Sequence, residues 1–211
     1  MFITFEGIEG CGKTTQIRRL KRSLQKRGVS CLATFEPGGT EVGRKIRKIL
    51  LDSRNITLMP LAELMLYEAD RAQHVQEVVW PALLKGQWVL CDRFFDATVV
   101  YQGFARGQDE GMIRLLNEKA TQGLVPEVTF LLDCPVEVGL ARATARNNKG
   151  QDRFEREKMA FHEKVREGYL ELSMKHAKRF VLIDAAAERN AVEKKIFEHV
   201  RPFLPPERGN H

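Results

Sequence analysis

The sequence predicts an α/β fold in which five parallel strands form one sheet with helices on both faces. Short apolar runs bounded by turn residues recur along the chain, and their apolar residues hardly alternate with polar ones. This pattern is typical of parallel strands buried on both faces. Stretches with helical periodicity separate the runs, and strands that alternate with helices favour a parallel sheet. The predicted strands are residues 2–5, 30–35, 88–92, 128–134 and 180–184.

The helices are predicted from apolar residues at a spacing of three or four. In the first helix an apolar stripe stops before Gly28, and glycine is common just beyond a helix C-terminus. A longer helical region lies within residues 61–84, where Pro81 is expected to kink or divide it. The stripe of the first helix consists of Ile17, Leu20 and Leu24. The other helices are predicted at residues 109–122, 136–146, 155–176 and 188–199.

Length and composition indicate a single globular domain over residues 1–211. Of the 211 residues, 43% are hydrophobic and 29% are charged, as in ordinary soluble domains. The chain has no run of 18 apolar residues and no basic segment at its N-terminus, so we expect neither a membrane span nor a signal peptide. The four cysteines are widely spaced, which favours reduced thiols and a cytoplasmic location. The net charge of +6 fits either a solvated basic surface or a phosphate-rich partner.

A phosphate-binding loop is predicted where Gly7 to Thr14 match the pattern G-x-x-x-x-G-K-[ST] between a strand and a helix. In such a P-loop, backbone N–H groups and the helix N-terminus converge on phosphate oxygens. Lys13 is expected to reach the β and γ phosphates of ATP, and Thr14 to bind Mg²⁺. A side chain at Gly10 or Gly12 would crowd the approach of the backbone to the phosphates. The predicted nucleotide-binding residues are Gly7, Ile8, Glu9, Gly10, Cys11, Gly12, Lys13, Thr14 and Thr15.

The third strand ends in Asp92 and Arg93, which favours phosphoryl transfer over hydrolysis. Asp92 can hold Mg²⁺ through water. Arg93 is a poor general base for activating water, but its planar guanidinium suits an acceptor phosphate. The fold is therefore predicted to be of the P-loop NTPase type. A structural ion pair is the alternative role for Arg93.

Three further residues have side chains that suit a nucleotide base. Tyr67 and Arg71 lie four residues apart, so they share one face of a predicted helix. A ring can stack on a base while a guanidinium forms hydrogen bonds with its edge. Gln102 carries an amide donor and acceptor that can read a pyrimidine edge. The alternatives are a core tyrosine beside a surface arginine, and an ordinary polar loop residue.

Six segments, in family order, resemble motifs of the bacterial thymidylate kinase family and span nearly the whole chain. They are FEGIEGCGKTT (5–15), EPGGTEVGRKIRKILL (36–51), LMLYEADRAQHV (64–75), CDRFFDATVVYQGFARG (91–107), PEVTFLLDCPVEVGLAR (126–142) and DRFEREKMAFHEKVREGYLEL (152–172). The P-loop alone would not be specific, but the six motifs together are.

The resemblance implies a role for each matching residue. The donor would be ATP with Mg²⁺ held by Thr14 and Asp92, the acceptor would be dTMP, and Glu36 would support the catalytic centre. The implied acceptor site comprises Glu9 near the sugar 3′-hydroxyl, Arg47 and Arg93 on the phosphate, Tyr67 stacked on the base, Arg71, Thr98 and Gln102 on the thymine edge, and Tyr101 against the sugar.

Residues 142–156 form a charged cluster that resembles the mobile helical lid of the family. Because the loop positions 8–11 contain no arginine, the resemblance implies that the lid supplies positive charge at the transferring phosphoryl group. The candidate catalytic cations of the lid are Arg146, Lys149 and Arg153. Two departures from the family pattern are Phe35, where an arginine is common, and Ala97, where a serine is common.

The predicted reaction is the transfer of the γ phosphate of ATP to dTMP, which gives ADP and dTDP for dTTP biosynthesis. The nearest alternative is another nucleoside-monophosphate or deoxynucleoside kinase. A nucleic-acid-linked P-loop ATPase and a binding module without catalysis are more distant alternatives, and the Asp92–Arg93 pair speaks against the former. No nucleic-acid or membrane partner is expected, and the resemblance implies a homodimer.

Overall fold

The computed structural model describes residues 1–146, 153–154 and 157–206, with the side chain of Arg146 also outside the description. Within this part of the chain, five parallel strands form one sheet in the order β2-β3-β1-β4-β5, which confirms the predicted architecture. The strands are β1 (Phe2–Glu6), β2 (Cys31–Phe35), β3 (Trp88–Asp92), β4 (Val128–Asp133) and β5 (Phe180–Asp184).

The helices cover both faces of this sheet. They are α1 (Lys13–Gln25), α2 (Glu41–Leu51), α3 (Pro60–His74), α4 (Trp80–Leu84), α5 (Phe95–Thr98), α6 (Glu110–Thr121), α7 (Val136–Arg146), α8 (Met159–Lys175) and α9 (Arg189–Val200). Two π-helical segments, Val75–Val79 and Val99–Ala105, and a 3₁₀ turn, Arg201–Phe203, complete the described elements.

Most helices lie within a few residues of their predicted bounds. Helices α2 and α5 were not predicted, and α8 starts at Met159 rather than at residue 155; residues 155–156 lie outside the described part. In the long region before β3, the regular α-helix ends before Pro81, at the π-helical segment. There the N–H of Trp80 donates to the carbonyl of Val75, five residues back. The interruption expected from proline therefore lies just ahead of it.

Buried apolar side chains hold the helices against the two faces of the sheet. In β1, Phe2, Ile3 and Phe5 are fully buried. Phe2 packs with Val79 and Phe94 on one face, while the other two belong to the larger cluster that includes α1, α8 and α9. Among the described helices, none combines the length and apolarity that crossing a membrane requires.

The strand register brings the functional segments together at the carboxyl edge of the sheet. Phe5 of β1 and Phe35 of β2 both pair with Asp92 of β3. The segments that follow these three strands therefore start at one level, and ligands of open α/β sheets bind beyond this edge. The backbone N–H of Arg93 donates to Phe5, and that of Glu36 donates to Asp92, which joins the three segments directly.

Candidate active site

The loop after β1 wraps around the ammonium group of Lys13. Its Nζ donates to the carbonyl oxygens of Gly7 and Ile8, each at 2.9 Å. Helix α1 begins at Lys13, with Gly12 as its N-cap, and its first turn contains no acidic residue. The N–H groups and positive end of α1 are therefore directed to the same place as a buried cation, which suits a phosphate.

Gly10 and Gly12 are required for reasons that the sequence did not reveal. A Cβ at Gly10 would lie 1.9 Å from the carbonyl oxygen of Gly139 in α7, so the loop packs against a helix backbone there. A Cβ at Gly12 would meet no atom within 4 Å, but Gly12 has a φ of +99°, where side chains are strained. Gly10 is thus constrained by the fold itself, whereas the sequence had indicated only the approach of the phosphates.

Thr14 and Asp92 form a pair of oxygen donors beside the loop. The hydroxyl of Thr14 donates to Oδ2 of Asp92 at 2.6 Å. In the described part of the chain, no group of three or more His, Cys, Asp or Glu side chains could hold a metal by itself. Mg²⁺ prefers oxygen ligands and keeps several waters or phosphate oxygens, so one hydroxyl and one carboxylate fit this ion.

Arg93 lies at the centre of a charged network. Its Nη2 donates to Oε1 of Glu9 at 2.8 Å, its Nη1 donates to the hydroxyl of Tyr169 at 3.0 Å, and its guanidinium lies 5.0 Å from the ring centroid of Tyr101. The hydroxyl of Tyr101 also donates to Glu9, at 2.7 Å. Burial opposes ionisation of Glu9, but Arg93, His162, Lys13 and Tyr101 together outweigh it and hold the pKa of this carboxyl well below its usual range. Glu9 is therefore a carboxylate, ready to accept a hydrogen bond.

Arg71 is buried, contrary to the alternative of a surface arginine, with 2% of its side chain exposed. Its Nε donates to Glu36 at 2.9 Å, and its Nη1 donates to Glu68 at 2.7 Å and to Asn117 at 2.8 Å. Glu36 also contacts His74, whose Nδ1 lies 2.8 Å away. These contacts hold the guanidinium in one orientation, and they join Glu36 to it directly.

Arg47 lies across the cleft on α2. Its Nη1 donates to the carbonyl of Pro37 at 2.7 Å, and its guanidinium lies 5.7 Å from the ring centroid of Phe35. Phe35, where the resemblance leads us to expect an arginine, therefore presents a ring that packs beside Arg47.

A cleft of about 420 Å³ joins these groups, and its volume suits a small ligand. Its walls include all eight predicted acceptor residues and six further residues predicted for catalysis, nucleotide binding or metal binding, among them Gly10 and Gly12. From the acceptor set these are Glu9, Arg47, Tyr67, Arg71, Arg93, Thr98, Tyr101 and Gln102, and the other four of the six are Lys13, Thr14, Glu36 and Asp92. Cys11 and Thr15 line a neighbouring depression with Arg142 and Arg189.

The lid candidates have different outcomes. Lys149 and the side chain of Arg146 lie outside the described residues. The guanidinium of Arg153 donates through Nε to the carbonyl of Leu50, at the end of α2, at 3.0 Å, and it is paired with Glu63 of α3. Its described partners are thus on α2 and α3.

Sequence reasoning missed two residues of the site. Phe154, which follows Arg153, lines the cleft, and its ring centroid lies 6.4 Å from that of Tyr67. Glu63 is 1% exposed and contacts Gln102, Arg106 and Arg153. The available signal for Glu63 was its position four residues before Tyr67, on the same helix face.

A phosphate-binding loop that faces an arginine-lined cleft, with Arg93 where a water-activating acid would stand, defines a class: the P-loop kinases that phosphorylate a second nucleotide. Comparison with known proteins identifies the family within this class. The sequence model of the family "Thymidylate kinase" matches residues 5–196. The chain therefore belongs to the thymidylate kinase family, as its motifs predicted, and it phosphorylates dTMP to dTDP in an ATP-dependent reaction.

Individual relatives agree with the family match. A thymidylate kinase of Trichlorobacter lovleyi is 53% identical over 204 residues, which cover 95% of this chain and 96% of the relative. One from Citrifermentans bemidjiense is 56% identical over 191 residues, covering 89% and 85% of the two chains. The crystal structure of thymidylate kinase from Ehrlichia chaffeensis superposes with a TM-score of 0.76 at 30% identity, and covers 95% of this chain and 98% of the other.

Proposed function

We propose that the P-loop binds the phosphates of ATP and that the cleft between α2, α3 and Tyr101 binds dTMP. The observation that carries this proposal is the cleft itself, because its walls combine Lys13 and Thr14 with all the residues predicted for the acceptor. The two sets come from distant parts of the chain. Their convergence supports a site in which two nucleotides meet through their phosphates.

The acceptor phosphate is bound by Arg47 and Arg93. Both side chains are held by protein acceptors, Pro37 and Glu9 respectively, so little rotamer freedom remains to be lost when the phosphate binds. The anionic oxygen of dTMP is itself the nucleophile, so the reaction requires no strong general base. The arginines align this oxygen with the γ phosphorus for in-line transfer.

On the donor side, Lys13 and the loop N–H groups bind the β and γ oxygens, and Thr14 and Asp92 hold Mg²⁺. When bound, Mg²⁺ neutralises charge that develops on the transferring group. Lys13 has this role at a buried position, where a cation interacts more strongly with developing charge than it would in water. Arg146 and Lys149 are proposed as lid cations that close over the transfer and exclude water.

On the acceptor side, Tyr67 stacks on the base while Arg71, Thr98 and Gln102 bind its edge. Tyr101 and Glu9 face the sugar, and the Glu9 carboxylate accepts from its 3′-hydroxyl. Glu36 acts beside the phosphates through Arg71, with which it forms an ion pair.

The test is a coupled ADP-release assay with dTMP, dUMP, dCMP and no acceptor, in the presence of Mg²⁺. We expect dTMP to be the preferred acceptor and Lys13→Ala to lower kcat by about 100-fold or more, because a buried charge at the transferring group is lost. Lys26→Ala, at the exposed end of the same helix, serves as the control and should have wild-type kinetics. A preference for dCMP would support another monophosphate kinase, and ATP turnover stimulated by DNA without an acceptor would support the nucleic-acid-linked ATPase.

We further propose that two copies associate through α2, α3 and α6 and act in the cytoplasm. These adjacent helices expose apolar side chains, which are Val42, Ile49, Leu61, Met65 and Leu115, each 45% to 54% exposed. Apolar surface on neighbouring helices marks an interaction site, and the family resemblance indicates a second copy as the partner. The four cysteines are buried and free, which agrees with a reducing compartment.

A further inference from the structure

Glu63 is a buried carboxylate that joins three separate segments of the chain. It lies on α3 with 1% of its surface exposed. Its Oε1 accepts from Nε2 of Gln102 at 2.9 Å and from Nε of Arg106 at 2.8 Å, while its Oε2 is paired with the guanidinium of Arg153. Glu63 is therefore the side chain at which the π-helical segment, through Gln102, meets Arg153.

This contact determines which atom Gln102 presents to a ligand. A carboxylate has no hydrogen to donate, so the amide group of Gln102 must direct its NH₂ toward Glu63. The two guanidinium groups that contact Glu63 can only donate, so they too use its oxygens as acceptors. Since Gln102 lines the cleft and is itself buried, its side-chain carbonyl oxygen is left available to the base, and this oxygen only accepts.

We propose that Glu63 is a specificity-determining positioning residue, which fixes the Gln102 amide so that the cleft selects pyrimidines with a hydrogen on N3. Thymine and uracil carry an N3–H donor that a carbonyl oxygen can accept. Cytosine has an unprotonated N3, which would face that oxygen with two acceptors opposed and leave both without a partner. The inference rests on the proposed role of Gln102 as the residue that binds the base edge.

The side chains around Glu63 support a role in orientation rather than in catalysis. Glu63 is absent from the walls of the cleft, so it acts through Gln102. Arg106 is held from its other side by Glu157, at 3.0 Å, and lies over the rings of Phe154 and Phe161. Arg106 is therefore anchored independently, and it keeps the carboxylate of Glu63 from turning away from Gln102.

The experiment compares kcat/KM for dTMP and for dCMP in the wild type and in Glu63→Gln. The glutamine has the same size, but its amide can donate to the carbonyl of Gln102, so the Gln102 amide is free to rotate by 180°. We expect the ratio of the two kcat/KM values to fall about tenfold, which corresponds to the loss of one oriented hydrogen bond. Part of the discrimination remains, because Arg71 is expected to read the substituent at position 4.

The matched control is Glu157→Gln, which removes a carboxylate from Arg106 without touching Gln102. This variant should keep the wild-type ratio even if its melting temperature falls, so loss of stability and loss of orientation are separated. If Glu63→Gln does not fold, Glu63→Asp gives the same comparison, because its shorter side chain no longer reaches Gln102 and leaves that amide free to rotate.

A folded Glu63 variant whose ratio stays within threefold of the wild type overturns the inference. If the proposed function is wrong, a different result is expected: the wild type itself will not prefer dTMP. The two outcomes are thus read from different proteins in the same assay.

Discussion

At the scale of single residues, the cleft depends on charged side chains that the fold removes from water. Arg71, Glu36 and Glu63 are each at most 5% exposed, and each has an oppositely charged partner within hydrogen-bond distance. Burying such groups is costly, and the removal of one partner would leave an uncompensated charge. We therefore expect these ion pairs to fix the orientation of the groups that line the cleft more than to stabilise the fold.

Glu6 provides a prediction about pH at this scale. It is fully buried at the end of β1, where it accepts from the N–H of Phe94 at 2.8 Å and from the hydroxyl of Tyr169 at 2.7 Å. Burial, reinforced by Asp96, raises its pKa from 4.5 to about 7. The folded state therefore keeps the Glu6 proton up to a higher pH than the unfolded state does. Protonation of Glu6 stabilises the fold at low pH, and this contribution is lost as the pH rises from 4.5 to about 7.

We expect Glu6→Gln to remove this loss, because glutamine does not ionise. The free energy of unfolding of the variant, relative to wild type, should rise by roughly 3 kcal/mol between the two ends of that pH range. Urea denaturation at a series of pH values measures the difference. Glu110→Gln, at an exposed position at the start of α6, is the control. Parallel curves for wild type and Glu6→Gln would contradict the prediction.

At the scale of elements, the P-loop is held by the helix that leads into the lid. The carbonyl of Gly139 in α7 lies where a side chain at Gly10 would be, and a Cβ at Gly139 would come within 2.6 Å of the carbonyl of Glu9. The loop and α7 are thus in backbone contact on both sides. A change in one must move the other, so the P-loop and α7 are coupled through their backbones.

Gly10→Ala tests this contact. The new Cβ would meet backbone that cannot turn aside, so we expect the free energy of unfolding to fall by about 3 kcal/mol or more. The displaced loop should also raise KM for ATP by about tenfold. Chemical denaturation and steady-state kinetics measure the two effects.

Gly86→Ala is the matched control, since Gly86 has the same φ of +72° as Gly10, but a Cβ there would meet no atom within 4 Å. It should lose only about 1–2 kcal/mol from backbone strain and should keep the wild-type KM. Equal effects of the two substitutions would show that the backbone conformation, and not α7, makes Gly10 necessary.

At the scale of the whole molecule, the apolar surface of α2, α3 and α6 leads to a prediction about assembly. Sedimentation should give twice the chain mass of 24.1 kDa for the wild type. Leu115→Lys, on the α6 part of this surface, should weaken association about tenfold or more, because a charge would be buried in an apolar interface.

Leu84→Lys, which changes an apolar residue on α4 that is 82% exposed, is the control and should not alter the mass. A wild type that sediments as a monomer at micromolar concentration would refute the proposed dimer. The kinase activity does not depend on this outcome, since both nucleotide sites of the proposal lie within one chain.

Short-range patterns made much of this protein predictable. The five strands, the P-loop and the Asp92–Arg93 pair depend on apolar runs and spacings within a few residues, and so does the family match. Helix α2 was missed because its residues were considered only as part of the family motif EPGGTEVGRKIRKILL. The π-helical segment at Val99–Ala105 was also missed: four consecutive residues, from Val100 to Gly103, are buried there, which no regular helical or strand period produces.

The sequence by itself thus determined the class of fold, the phosphate-binding loop and the family, because local chemistry and hydrophobic periodicity are written in neighbouring residues. Only the tertiary structure decided that Arg71 is buried, that Gly10 is constrained by α7, and that Glu63 joins Gln102 to the lid. Glu63 is 39 positions from Gln102 in the chain and 90 positions from Arg153. Such pairs form because the parallel sheet brings distant segments to one edge, and no pattern within a single segment encodes which of them will meet.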